Sequence, residues 1–170
     1  MREIFEEITH HPEINFMTPD TQRRLQLELE TVTKAAMEAE QALGGTFDSP
    51  QDWHDNFAYD NQRQQVQMLY KAKSDLENKL RNVSLLQPRI STDTIDVGNT
   101  IQVQFSGEME PETFTILGRD DTHTRPEWIS YATPLAEALI GATSGSIMEV
   151  ELPNHRTTSV RVLSISEGQF

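Results

Sequence analysis

The sequence predicts an α+β protein: an antiparallel α-helical hairpin over residues 1–86, a linker over 87–95 and a small antiparallel-sheet domain over 96–170. Three observations carry that expectation. Leu25, Leu29, Val32, Ala36, Ala39 and Leu43 recur at alternating steps of four and three, the spacing of a coiled-coil seam. Gly44-Gly45 then stops that pattern and Ser49-Pro50 restarts it, which places a hairpin tip near 44–59. Beyond residue 95 the apolar period changes from helical to alternating, as in Thr100-Ile-Gln-Val-Gln-Phe105.

The elements follow in order. Residues 1–16 are a short lead with a turn or two of helix around Ile4, Phe5 and Ile8, closed by His10-His11-Pro12, a pair not read as a metal site. Thr18 is an N-cap and Pro19 the first helical residue of a helix of about 25 residues, a rod of about 37 Å. The return helix runs from about Pro50 to Asn82, with Gln62, Gln65, Leu69, Ala72, Leu76, Lys79 or Leu80, and Val83 as its seam. Strands are expected at 100–105, 112–117, 128–131, 147–152 and 158–165, and a short helix capped by Thr133-Pro134 ends at Gly141. Trp128 is assigned to the core of this domain.

Composition excludes several function classes. With no cysteine there are no disulfides, thiolate metal sites or cysteine nucleophiles. A formal charge of −13 argues against sequence-independent nucleic-acid binding, which needs a lysine and arginine footprint. There is no run of about 18 apolar residues to span a membrane, and the N-terminus lacks the pattern of a secretory leader. A cytoplasmic protein is expected, and a monomer, because one hairpin buries its own seam.

The candidate chemistry lies at the tip. From Ala35 to Gln62 there is no Lys or Arg, while Glu38, Glu40, Asp48, Asp52, Asp55 and Asp60 fall within that stretch. Unpaired like charges are mildly destabilising in a helix, so a cation is the natural partner. Asp52 and Asp55 stand at i, i+3 and share one helical face. Asp52 also fits a capping box with Ser49, which accounts for it without a ligand but leaves Asp55 and Asp60 unexplained. His54, between the two acids in sequence, points off their face. In the second domain His123 and His155 sit in expected loops, and no phosphate loop or Ser/His/Asp order is present.

Two stretches carry a resemblance to a known family. The tip reads Gln51-Asp52-Trp53-His54-Asp55-Asn56-Phe57-Ala58-Tyr59. The second reads Thr133-Pro134-Leu135-Ala136-Glu137-Ala138-Leu139-Ile140-Gly141, followed by Met148-Glu149-Val150-Glu151-Leu152-Pro153. In that order and separation they resemble the Gre family of bacterial transcript cleavage factors, over roughly residues 17–166. In outline the family's tip is Gly-Asp-x-x-Glu-Asn-x-x-Tyr, so Gln51 replaces a glycine and Asp55 replaces a glutamate one methylene longer.

The resemblance implies an FKBP-like C-terminal domain that holds the rim of the secondary channel of bacterial RNA polymerase while the hairpin enters it. It implies Asp52 and Asp55 as ligands of a Mg²⁺ shared with the polymerase active site, and Asn56 and Tyr59 as supports of the tip or the RNA 3′ end. Thr133 and Pro134 fall at the polymerase contact. The protein would then be no enzyme itself, but would stimulate the polymerase's own cleavage of backtracked RNA, meeting RNA only inside the polymerase and binding no DNA. Two other readings stay open. One is a non-cleaving occupant of the channel that inhibits the polymerase, which an acid-rich tip also suits. The other is a prolyl isomerase with a helical arm, for which Phe105, Phe114, Trp128, Tyr131 and Phe170 would have to build the apolar pocket.

Overall fold

The computed structural model describes residue 6 and residues 14–44, 57–151 and 157–170. They form two compact units: residues 22–81, and residues 1–21 together with 82–170.

The first unit is the helical hairpin. Thr18 Oγ1 accepts from the Thr21 backbone N–H at 3.3 Å, the N-cap expected ahead of Pro19. Helix α1 then runs Pro19–Gly44, 26 residues. Its seam is the one read from the heptads: Leu25 and Ala36 are buried, and Leu29, Val32, Ala39 and Leu43 are half-buried. Helix α2 is described over Phe57–Lys79; its expected start near Pro50 lies outside the described residues. In α2 one seam position differs from the expectation. Gln65 is exposed and Val66 is half-buried in its place. Counting from Gln62, a step of four followed by three reaches Val66 and Leu69, and that register keeps the larger apolar side chain on the packed stripe. Asn82, at φ 53°, adopts the left-handed conformation that follows a helix C-terminus.

The second unit contains chain from both sides of the hairpin. Strand β1 (Asn15–Met17) pairs in parallel with β2 (Val83–Leu85), Asn15 opposite Val83 and Met17 opposite Leu85. Asn15 and Phe16, expected in the short lead, and residues 83–86, expected to close the hairpin with Val83 in its helical seam, are built instead into a strand pair and the buried interior beside it: α2 ends at Lys79, Val83 lies in β2, and Phe16, Met17 and Leu86 are at most 3% exposed. Residues 87–95 are fastened as well. Arg89 N–H donates to Gly98 O at 3.0 Å and Ile95 N–H to Ala142 O at 2.9 Å. The Arg89 guanidinium lies 3.5 Å from the fully buried Asp96 carboxylate. Buried Asn99 donates from Nδ2 to Ser91 O and accepts from Asp96 N–H on Oδ1. The expected linker at 87–95 thus falls inside this unit, fastened at Arg89, Ser91 and Ile95.

The main sheet has five strands, ordered β5-β4-β3-β7-β6. They are β3 (Asn99–Phe105), β4 (Glu112–Leu117), β5 (Trp128–Ser130), β6 (Ile147–Glu151) and β7 (Thr157–Glu167). The antiparallel expectation holds for every pair except one: β5 runs parallel to β4, Thr115 opposite Trp128. A crossover through residues 118–127 returns the chain to the starting end of β4, which a tight hairpin cannot do. Helix α3 (Pro134–Leu139), capped by Thr133, buries Ala136 and Leu139. With Ile101, Val103, Ile116, Leu117, Val150, Val160 and Val162 they form one core, joined by Trp128 at 6% exposure.

The crossover begins with a close approach. A Cβ on Gly118 would lie 1.9 Å from Phe16 O and 2.9 Å from Asp121 Oδ2. No side chain fits against backbone at that distance. Gly118→Ala is expected to cost about 1–3 kcal/mol, the usual range for overpacking, read as a lowered thermal midpoint; an unchanged midpoint would refute this contact.

Candidate functional site

The link between α1 and α2 carries Asp52, Asp55 and Asn56, and these residues lie outside the described part of the chain, as do His54, Asp48, the Ser49 cap and the His10-His11 pair. Tyr59 is described. It is half-buried in the first turn of α2, where it has a partner. Asp60 in the same turn is exposed and suits the positive end of the helix dipole.

Local partners account for part of the acidity around the tip. Lys34 lies 3.9 Å from Glu38 one turn on. The Tyr70 hydroxyl donates to Glu40 Oε2 across the hairpin. That hydrogen bond, then burial, then the charge of Glu40, push the Tyr70 pKa above its ordinary value. Glu38, Glu40 and Asp60 therefore have reasons to be acidic within the hairpin. Among the described residues no group of His, Asp or Glu side chains could hold a metal ion.

In the sheet unit, Thr133 and Pro134 come together at the start of α3. Thr133 Oγ1 donates to Ser130 O at 2.8 Å and accepts from Ala136 N–H at 3.3 Å, so its hydroxyl is occupied by capping. Pro134 and the preceding Ala132 are exposed. The residues leading to them, Trp128 and Tyr131, are buried. A cavity of about 160 Å³ adjoins Trp128, lined also by Thr18, Pro19, Leu86, Pro88 and Phe170.

Two contacts here are invisible in the sequence. The Arg125 guanidinium sits over the Trp128 ring, 5.2 Å from its centroid, and Arg119 sits over Tyr131 at 5.5 Å. Both arginines are exposed on the crossover. The crossover is held by Asp121, which is fully buried. Its carboxylate accepts from Thr18 N–H at 3.0 Å, from Thr18 Oγ1 at 2.8 Å and from Gly118 N–H at 2.9 Å.

Residues 90–167 match the family described as transcription elongation factor, GreA/GreB, C-terminal. Transcription elongation factor GreA of Mycoplasmopsis pulmonis is 31% identical over 116 residues, covering 68% of this chain and 72% of that protein. Transcription elongation factor GreA of Leuconostoc mesenteroides is 26% identical over 160 residues, covering 89% of this chain and 95% of that protein. Among solved structures, GreA factor homolog 1 of Thermus thermophilus is similar over 89% of this chain and 97% of its own, at 22% identity and a TM-score of 0.41.

The contact between Glu40 and Tyr70 has a pH signature. A group whose pKa is raised on folding adds stability below its unfolded pKa, about 10 for tyrosine, and loses it as pH rises through the folded value. In ultraviolet titration Tyr70 is expected to ionise above the ordinary tyrosine range, and Glu40→Ala to return it to that range. A titration unaffected by Glu40→Ala would remove this contact from the hairpin.

Proposed function

The chain belongs to the GreA/GreB family of transcription elongation factors, and from that premise we propose that it binds bacterial RNA polymerase, inserts its hairpin into the secondary channel and stimulates cleavage of backtracked RNA. The observation that carries this reading is the pair Asp52 and Asp55, set in the link between two long helices. Helix α1, with 26 residues, is a rod of about 39 Å, and its stripe of half-buried aliphatic residues stiffens it against α2.

The donor set suits Mg²⁺, which takes hard oxygen ligands. Mg²⁺ is usually held by one or two carboxylates, with waters and phosphate oxygens completing its shell, so two carboxylates suit an ion shared with the polymerase and the RNA. When bound, the ion supplies a water activated for attack on a phosphodiester. The chain's own part in this reading is placement: Asp52 and Asp55, spaced i, i+3 in the sequence, would supply carboxylate oxygens, and Asn56 and Tyr59 would orient the tip or the RNA 3′ end. The net charge of −13 is no obstacle, because the polymerase already holds the RNA. Polymerase contact by the sheet unit falls at exposed Pro134 beside the capping Thr133.

A second reading, occupancy of the channel without cleavage, is favoured by the concentration of acids at Asp48, Asp52, Asp55 and Asp60. A single assay separates the two. In a purified, backtracked elongation complex at saturating factor, wild type is expected to accelerate RNA cleavage. Asp52→Ala and Asp55→Ala should each lose at least ~100-fold of that acceleration, the scale of losing a group that stabilises transition-state charge, with binding retained. Slowed nucleotide addition without cleavage would support the inhibitor instead, and absence of binding would overturn both.

A further inference from the structure

We infer that Asp121, a buried residue of the crossover, is a positioning residue for transcript cleavage: through Thr18 it holds the root of the hairpin so that the tip is delivered reproducibly. This inference rests on the cleavage reading above, and it adds a residue remote in sequence from the tip.

The demand comes from leverage. Helix α1 is about 39 Å long, so a tilt of about 1.5° in its first turn moves its far end by about 1 Å. A displacement of about 1 Å at a reacting group can cost about 100-fold in rate. A hairpin that brings carboxylates to an ion shared with another active site therefore needs a root held by directional bonds in a place closed to water.

The crossover supplies such bonds. Asp121 has no exposure and the adjacent Asp120 is 9% exposed. Asp120 Oδ2 accepts from Asn15 Nδ2 at 3.3 Å, at the start of β1. Asp121 Oδ1 accepts from the Thr18 N–H at 3.0 Å and from its hydroxyl at 2.8 Å, just past the end of β1. Thr18 in turn caps α1, and Asn15 N–H donates to Asn82 O at 3.0 Å, just beyond α2. Both roots of the hairpin are thus tied, each through one residue, to the same dipeptide.

A local turn does not explain this arrangement. The turn at the start of the crossover needs only the bond from Gly118 N–H to Asp121, three residues apart. The two Thr18 bonds span 103 positions and do nothing for that turn. Stability does not require them either, because an apolar pair of the same shape at a buried contact can be nearly neutral. What the carboxylate adds is direction, since the bonds it accepts are shorter and stronger than those between neutral groups. The Thr18 hydroxyl is turned toward Asp121 by donating to it, which leaves its oxygen facing the Thr21 N–H of the first turn.

The test measures cleavage by the full chain in a purified, backtracked bacterial elongation complex across factor concentrations, at a temperature where thermal unfolding shows each variant folded. It yields a maximal rate and a half-saturating concentration. Asp121→Asn leaves the Thr18 cap in place but puts an amide NH₂ where a carboxylate oxygen stood. Thr18→Val removes the hydroxyl while keeping the shape and the backbone N–H, and it keeps the test open if Asp121→Asn does not fold. Each is expected to lower the maximal rate at least ~10-fold, within the cost of a small misplacement, with the half-saturating concentration unchanged. The double variant should lose no more than the worse single one, because both act through one contact. Thr18→Ser, which retains hydroxyl and N–H, should match wild type, as should Thr31→Val, the same change at an exposed threonine of α1. An unchanged maximal rate in folded Thr18→Val would overturn the inference, as would a loss confined to the half-saturating concentration or to the thermal midpoint. Loss in Thr18→Val but not in folded Asp121→Asn would assign the effect to the cap and likewise overturn it. Wild type that binds polymerase without accelerating cleavage overturns the cleavage reading and this inference together, whereas wild-type cleavage untouched by the variants overturns the inference alone.

Discussion

Asp121 has no solvent exposure, so the chain around it can fold only if the carboxylate oxygens find donors inside the protein. Thr18 supplies both its N–H and its hydroxyl, and Gly118 supplies its N–H. The same Thr18 hydroxyl accepts from Thr21 N–H. One side chain thereby fixes the start of the crossover and also orients the residue that caps α1. Gly118 is required by the same arrangement, because Phe16 O occupies the space that a side chain would need. Removing the carboxylate would leave buried donors without partners, a larger loss than the net value of the bonds themselves.

How much of this was legible depended on whether the signal was local. The α1 seam was readable because a heptad repeats within one element, and the Thr18-Pro19 start because capping involves neighbouring residues. Thr133 was readable for the same reason. Val66 was misplaced because near the tip the α2 seam is polar, and Gln62, Gln65 and Val66 offer little periodic contrast. β1 and β2 were not readable: each is three residues long, and its partner lies on the other side of the hairpin. The parallel pairing of β5 and the role of Asp121 likewise depend on contacts between distant parts of the chain. Of the candidate site, Tyr59, Thr133 and Pro134 have described positions, whereas Asp52, Asp55 and Asn56 rest on sequence alone.

Net acidity covers different local arrangements in the two units. The hairpin's link concentrates acids where a shared cation would be held, and three of the surrounding acids have separate local explanations in Lys34, Tyr70 and the start of α2. The sheet unit, acidic in total, sets two arginines on aromatic rings. A strongly negative net charge therefore conceals two local chemistries of opposite sign, and averaging over the sequence erases both.

Pairing of β1 with β2 makes the hairpin an insertion between two adjacent strands of one folding unit. Asn15 and Val83 can meet cheaply only after the intervening chain has been shortened, and a helical hairpin performs that shortening by bringing its own ends together. Helix formation between the two strands thus lowers the entropic cost of the pairing that accompanies burial of Met17 and Leu86. For evolution the arrangement is modular. Matched whole turns can be added to or removed from α1 and α2, lengthening or shortening the arm, while the entry and exit points at β1 and β2 stay where they are.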